Sequence, residues 1–569
     1  MRENILIVGG VALGPKAACR CKRLNPEASV TIVDENRYIS YGGCGIPYYI
    51  SGEVNNLDDL RATPYHTIRD AAFFRAMKGV TVRAQTRALG IDRAAKKLLV
   101  KNLVSGREES LPYDKLLLAT GARPRIPPVE GRELNGVFSL TKLESAGAVR
   151  TACQNGAVNN AVIVGGGLIG LEGAVALADM WGVKVSVVEM ADHLLPGILS
   201  PDLARMASHD CARHNVDVFT AERVVRLTGR GGAVRSVVTE RREIPCEIVI
   251  FAAGFVPDGT LAESAGLAVT SFGAVVVDEY MRTSDTSIYA GGDCVSVKNI
   301  ITGRNGYLPL GSMANRQGRV IGTNLAGGSA IFPGYVGTWA VRLFDLSFCG
   351  AGLTAENARK EDFDAVGVSV EQFDRAHFYP EKSMMSLTLV ADRNDGRVIG
   401  IQGAGPAGDA LKARIDAVAG VLQYARPTVA DISNLEVGYA PPFAAAMDIV
   451  NAVANVMENL LDGRFKPVTA DAFMELWSNR DKNRIFFIDA RPAPAGKNVE
   501  AKQPDWHAIP LEEIGTRIAE IPRDRPVAII CNTGLRSYDS VLILARHGIT
   551  DVVNAMGGMQ AAMKMGLQP

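Results

Sequence analysis

The charge of this sequence leans neither way. Its 569 residues carry 61 lysines and arginines against 61 aspartates and glutamates, a formal net charge of zero at pH 7. That balance removes the basic footprint of a nucleic-acid binder and the polybasic face of a protein held on an anionic membrane. The nine cysteines are scattered and odd in number, which argues against a secreted disulfide framework and fits reduced thiols in a cytoplasm. The opening MRENILIVGG passes straight into an apolar strand, with no basic segment, apolar core and cleavage site of a secretion signal. The one long, nearly uncharged run, Ala161 to Ala178, contains Gly165, Gly166, Gly167, Gly170 and Glu172. It fits a buried strand, turn and helix better than a membrane span. The 58 glycines exceed the average of ~7% without a G-X-Y period, so they are expected in binding turns. A chain this long accommodates about two to four domains.

Two stretches carry the same pattern. Residues 5 to 34, ILIVGGVALGPKAACRCKRLNPEASVTIVD, form an apolar strand, a glycine turn, a helix and a second strand ending in Asp34. The unit has the ~30-residue length of a dinucleotide-binding βαβ. Gly9 makes the tight turn, Gly14 allows close helix packing, and Asp34 is placed for a ribose hydroxyl. Val11 stands where the middle glycine of GxGxxG belongs, so this unit alone fits a dinucleotide cradle and a plain βαβ equally. Residues 161 to 189 repeat the pattern in full, with Gly165, Gly167 and Gly170 and a closing acid, Glu189. An acid there accepts the 2′-hydroxyl of NADH and repels the 2′-phosphate of NADPH. Further strands run into glycine turns at LLLATGARPRIPPVEG, VIFAAGFVPD and IYAGGDC. These supply Thr120, Gly121 and Asp293 as candidate cofactor contacts.

A lone cysteine poses the chemical question. In SYGGCGIPYYISG, Ser40 to Gly52, Cys44 lies among glycines with no thiol within five positions. It has no local disulfide partner, so its sulfur mate comes from a substrate, or it is itself oxidised. Cys19 and Cys21, two apart on the first helix, point to different sides and make neither a disulfide nor a metal pair. No metal site is expected. The pattern resets after DGRFKP, Asp462 to Pro467. There IFFIDAR is a buried strand and VAIIC another, with Cys531 at its end where a helix begins. Loop amides and the helix dipole favour a thiolate or persulfide at that place.

With these elements in this order, residues 1 to about 455 resemble the two-dinucleotide flavoprotein disulfide reductases. The resemblance implies an α/β fold with an FAD domain over 1–120, an NAD domain over 121–250 and a return to the FAD domain over 251–330. A dimerisation domain then spans 331–462. It implies FAD and NADH as cofactors and a homodimer. Cys44 matches the single-cysteine branch: NADH oxidases, NADH peroxidases, and coenzyme A-disulfide or persulfide reductases. The peroxidases place a histidine in the first glycine turn, and Val11-Ala12-Leu13 has none. Coenzyme A-disulfide reductases carry S-x-x-N-C; Ser40 is present, but Gly43 replaces the asparagine. Tyr439 in YAPPF resembles a tyrosine that reaches the partner subunit's sulfur site, and Tyr379 in HFYPEK resembles a second. Glu172 resembles a glutamate near the nicotinamide, and as an acid at a helix start it also complements the helix dipole.

Coenzyme A carries phosphates and needs cations. Arg20, Lys22 and Arg23 resemble basic positions used for it, although a solvated helix face explains them as well, and Arg61 is a fourth candidate. Residues 466–569 resemble a rhodanese, with the loop CNTGLRS from Cys531 through Arg536 and the D-x-R pair Asp489 and Arg491. A phosphatase loop needs C-x5-R, and Arg536 comes one position early. Together these imply an NADH-dependent flavin reductase acting on a small sulfur substrate, namely a coenzyme A disulfide, a persulfide or polysulfide. The alternatives are an NADH oxidase and a flavin-based redox sensor.

Overall fold

The computed structural model describes residues 3–569, which divide into two compact units. The first runs to Met190 and resumes over Glu222–Tyr335; the second comprises Ala191–Ala221 and Val336–Pro569. The stretch Ala191–Ala221, inside the span read as the NAD domain, therefore packs within the second unit.

The first unit holds two parallel sheets built alike. In one, Ile288–Ala290, Lys115–Leu118, Asn4–Val8, Ser29–Val33 and Thr81–Arg83 lie side by side. In the other, Lys184–Val188, Asn160–Val164, Ile248–Phe251 and Val137–Phe138 do the same. Their central strands, NILIV and NAVIV, share one burial pattern, with four of five residues buried. Such continuous apolar runs are what a strand covered on both faces requires. Each central strand leads through glycines into a helix, Leu13–Leu24 in the first sheet and Leu168–Trp181 in the second.

The second unit also holds two sheets. An antiparallel one is ordered Trp339–Arg342, Leu346–Gly352, Val398–Pro406, Met384–Asp392, Ala365–Phe373. A parallel one is ordered Lys466–Val468, Val552–Ala555, Val527–Ile530, Phe486–Asp489, Trp506–Ala508. Its core gathers Phe465, Phe486, Ile488, Ile529 and Leu544 around the strand that delivers Cys531. The whole is the mixed α/β architecture expected from the alternation of strands and helices. Among the described residues no helix is long and apolar enough to cross a membrane.

Candidate active site

The two glycine turns are alike in backbone angle, close contacts and the acid that holds each. Gly9 and Gly165 adopt φ of +110° and +112°, a region open to glycine and strained for other residues. A methyl group on Gly14 would collide with the carbonyl oxygen of Gly9, and one on Gly170 with that of Gly165. The strand-end acids hold both turns: Asp34 accepts the Gly10 amide at 2.6 Å and Glu189 accepts the Gly166 amide at 2.7 Å. Asp34 also accepts the Asn36 amide at 2.7 Å, and burial raises its pKa. Gly167 differs in kind, because its φ is ordinary and a methyl group there would meet nothing within 4 Å. Nothing in the described protein requires a glycine there. Hence Val11, its counterpart in the first turn, fits the same cradle.

The IYAGGDC turn carries polar groups that the chain leaves unanswered. Burial pushes the Asp293 carboxyl up to about 6. The Tyr307 hydroxyl and Gln317 Nε2 are buried with no hydrogen-bond partner among the described residues, while Gln317 Oε1 accepts the Gly292 amide at 2.7 Å. Donors and acceptors left open around a glycine turn fit the polar chain of a dinucleotide. Thr120 is differently engaged: its hydroxyl donates to the Asp258 carbonyl at 2.6 Å, while Asp258 donates its amide to Gly121.

Cys44 is exposed and unbonded. It sits in the 3₁₀ turn Gly43–Gly45, which leads into the helix Ile46–Ser51. That helix rests on Leu168–Trp181, where the Trp181 indole donates to the Ile50 carbonyl at 2.8 Å. The packing brings Glu172 toward Cys44, with Tyr48 donating weakly to it at 3.5 Å. Partial burial raises the Cys44 thiol above its ordinary pKa, and the carboxylates of Glu172 and Asp293 push the same way. The N-terminus of the 15-residue helix Gly311–Leu325 opposes them. A methyl group on Gly311 would stand 3.7 Å from the Cys44 sulfur. A helix N-terminus stabilises a thiolate and lowers its pKa.

Glu172 is not in the first turn of its helix, so complementing the dipole does not account for it. Burial pushes its carboxyl up to about 7 from 4.5. The folded state therefore binds this proton more tightly than the unfolded chain. Ionised Glu172 costs stability, a cost absent below about pH 4.5 and fully present above about 7. The charge that disfavours the Cys44 thiolate is thus itself titrating near neutrality. Glu172→Gln is expected to lower the Cys44 pKa and to speed its alkylation by iodoacetamide at neutral pH, by ~2- to 10-fold. Peptide mapping of the alkylated protein reads this, and an unchanged rate would break the link between the two groups.

The basic candidates are held in different ways. Lys22 donates to the Ala28 carbonyl at 2.9 Å and to that of Pro26, so it caps the loop after its own helix instead of standing free for a phosphate. Arg20 donates to the Thr323 hydroxyl at 3.1 Å, and Arg23 is exposed. Arg61 lies next to the cysteine turn, because the Gly42 amide donates to the Leu60 carbonyl at 2.9 Å. It pairs with Asp58 at 2.9 Å and stacks on Tyr38. Ser40 is buried and holds a left-handed φ of 49°, its amide donating to the Gly10 carbonyl.

In the second unit, Cys531 is 1% exposed, and its sulfur accepts the Gly534 amide at 3.2 Å and the Ser537 hydroxyl at 3.4 Å. Arg536 is exposed in the first turn of the helix Leu535–Arg546. Asp489 and Arg491 satisfy each other, with contacts of 2.7 to 3.0 Å, and the Trp506 indole also donates to Asp489. Tyr439 is 52% exposed, as are Phe443 and Met447 close to it in sequence and Phe378 on a second segment. Arg414 holds the two segments that carry them, donating to the carbonyls of Asp374 and Phe443 and pairing with Asp448 at 2.8 Å. Tyr379 is half-buried on the first of these segments, its amide donating to Ala376.

The family model described as pyridine nucleotide-disulphide oxidoreductase matches residues 3–318, more than half of the sequence. The chain is a pyridine nucleotide-disulphide oxidoreductase. The dimerisation domain of the same family matches residues 340–450, and a rhodanese-like domain matches 473–564. This oxidoreductase is 32% identical over 458 residues to the NAD(P)H sulfur oxidoreductase (CoA-dependent) of Pyrococcus abyssi, covering 80% of this chain and 99% of the other. Two solved structures match nearly its whole length. The NAD-dependent persulfide reductase from A. fulgidus has TM-score 0.92 and 38% identity, over 98% of this chain and 99% of that one. Reduced CoADR-RHD from Bacillus anthracis has TM-score 0.89 and 28% identity, over 99% and 98%. The oxidoreductase family is FAD- and NAD(H)-dependent, in agreement with the two cradles.

Sequence reasoning missed Gly311, Tyr48, Tyr307, Gln317 and Arg414. Tyr48 had a signal, since it lies four residues past Cys44, one helical turn on. Gly311, Tyr307 and Gln317 come beside Cys44 and the Asp293 turn only through tertiary packing, and Arg414 is reached only by the packing of its own unit.

Proposed function

We propose that this oxidoreductase is an NADH-dependent reductase of coenzyme A disulfide, persulfide or polysulfide, working as a cytoplasmic homodimer. One observation carries the reading: an exposed, unbonded Cys44 at a helix N-terminus shares its chain with a second, cradled cysteine, Cys531. The names of the relatives and of the two full-length structural neighbours support it.

Gly9, Gly14, Asp34 and Asp293 would hold FAD, and Gly165, Gly167, Gly170 and Glu189 would hold NADH. Bound FAD supplies the two-electron relay between nicotinamide and sulfur. The Cys44 thiolate attacks the outer sulfur of a persulfide R–S–SH. A new S–S bond to Cys44 forms as the S–S bond of the persulfide breaks, and R–S⁻ leaves and takes up a proton as R–SH. Two electrons from NADH then return Cys44 to thiolate and release sulfide, so that NADH, a proton and R–S–SH become NAD⁺, R–SH and H₂S. Glu172 holds or yields a proton beside this sulfur. Tyr439, from the exposed segment of the other subunit, donates its hydroxyl to the leaving sulfur, with Tyr379 beside it. Ser40, Arg20, Arg23 and Arg61 face the coenzyme A, whereas Lys22 serves its helix end. Cys531 carries sulfane sulfur, held by the Gly534 amide and the Ser537 hydroxyl, with Arg536 at the rim.

The test is NADH oxidation with coenzyme A persulfide under nitrogen, with sulfide measured. Stoichiometric sulfide is the expected result. NADH consumption in air that ignores added polysulfide would make the protein an NADH oxidase. Negligible turnover with every sulfur donor would make it a flavin sensor. Cys531→Ser is expected to abolish sulfur transfer to cyanide while NADH turnover with preformed coenzyme A persulfide persists; retained transfer would remove Cys531 from the scheme.

A further inference from the structure

Away from both cysteines, the second unit contains three metal-binding side chains with no role in the sulfur chemistry. Asp210 and His214 lie one turn apart at the end of the helix Pro201–Arg213. Asp345 sits in the turn between the strands Trp339–Arg342 and Leu346–Gly352. One ligand atom from each lies within 4.8 Å of the others.

Asp210 is the informative member. It is 1% exposed, and neither carboxylate oxygen has a hydrogen-bond partner of proper geometry among the described residues. The Asp345 amide faces it, and the nearest cation, Arg213, stands 4.0 Å away. A buried carboxylate without donors is costly unless something of opposite charge completes it. Burial raises its pKa accordingly.

His214 is oriented to help. Its Nδ1 lies 2.9 Å from the Asp210 carbonyl oxygen, which only accepts, so Nδ1 carries the proton and Nε2 keeps its lone pair. The ring is stacked on Phe344 at 4.3 Å, which fixes its plane. Nε2 lies 3.5 Å from Asp345 Oδ2 and makes no hydrogen bond to it. Two ligand atoms bound at ~2.1 Å with a tetrahedral angle between them lie roughly 3.4 Å apart. Arg213, half-exposed and 3.5 Å from Asp345, is the present counter-charge; it makes no hydrogen bond to either acid and is free to swing into solvent.

We propose that Asp210, His214 and Asp345 form a three-ligand site for one divalent transition-metal ion, zinc by preference, with water completing the tetrahedron. Two carboxylates and a neutral imidazole offer two negative charges, which match the ion. The imidazole selects zinc-like ions over magnesium or calcium. Half-exposed Asp345 provides the way in. The site is structural, closing the helix end onto the hairpin turn.

The experiment uses the full-length flavin-loaded protein, stripped with a chelator and titrated with ZnCl₂, with bound metal counted after desalting. One zinc per chain is expected, with binding weakened at least ~10-fold in Asp345→Asn and in His214→Ala. Zinc should also raise the melting temperature of wild type and not of Asp345→Asn, whose persulfide turnover stays unchanged. Zinc bound equally well by both variants would place it on thiols and overturn the proposal, as would no binding at micromolar zinc. Asp345→Asn alters a half-exposed turn residue, so the test does not depend on how the His214 variant folds.

Discussion

Serine at position 44 is expected to abolish persulfide and disulfide reduction, with a loss of roughly 10³-fold or more in turnover. The nucleophile in sulfur exchange is a thiolate, and a hydroxyl is not ionised at any pH the protein survives. The substitution removes one exposed sulfur and leaves both glycine cradles and the Asp293 turn intact. Flavin content and NADH-driven reduction of a small quinone should therefore persist in the variant. This split separates a lost nucleophile from a lost fold. Undiminished sulfide release by Cys44→Ser would end the single-cysteine reading. Loss of flavin along with activity would mean that the 3₁₀ turn is needed to hold the cofactor, and not that sulfur is needed for chemistry.

Lys564→Met should produce the largest loss of stability. Lys564 lies at the end of the helix Gly558–Lys564, whose first amides bind the backbone around Cys531: Met559 donates to the Cys531 carbonyl and Gln560 to that of Asn532. Its ammonium is 2.6 Å from Glu371, 2.9 Å from the Ser386 hydroxyl and 3.2 Å from the Met384 carbonyl. Glu371 is 2% exposed on the strand Ala365–Phe373, so this ion pair fastens the Cys531 loop to the antiparallel sheet. Burial raises the Glu371 pKa and Lys564 opposes it. Without the lysine, an uncompensated buried carboxylate remains, at a cost of about 3–5 kcal/mol. The variant should lose its first thermal transition early and lose sulfur transfer to cyanide on mild warming, while NADH-to-quinone turnover survives. With Glu371 raised further, the deficit should grow as pH rises and shrink in acid. Pairing Lys564→Met with Glu371→Gln should restore most of the stability. Equal deficits in the single and double variants would show that the lysine acts by packing.

Much of the site was legible in the residues because dinucleotide cradles and sulfur-carrying loops are local. Gly9, Gly14 and Asp34 fall within one strand-helix-strand unit, so spacing along the chain is spacing in the turn. The same holds for Cys531, Gly534 and Ser537, which close a loop within seven residues. Val11 left the first cradle open to two readings. The structure explains it, since the equivalent Gly167 has no protein neighbour that demands a glycine. Where partners were distant in sequence, residue type said less. Lys22 reads as one candidate phosphate ligand, and its ammonium lies on the loop carbonyls of Pro26 and Ala28; Glu172 reads as a glutamate near the nicotinamide or a dipole partner, and it sits beyond the first turn. A side chain's charge is written in the sequence, but what it faces is not.

The sequence by itself determined the two glycine turns of one design and the two loops that carry Cys44 and Cys531, because apolar runs, glycine turns and terminal acids constrain a few consecutive residues at a time. Only the tertiary structure decided the electrostatics of Cys44, whose sulfur meets a helix beginning at Gly311 and carboxylates at 172 and 293. It alone brought Lys564 to Glu371 and Asp345 to His214. Fields and ion sites depend on separations in space, and the chain returns to a given point only after packing has chosen which faces meet.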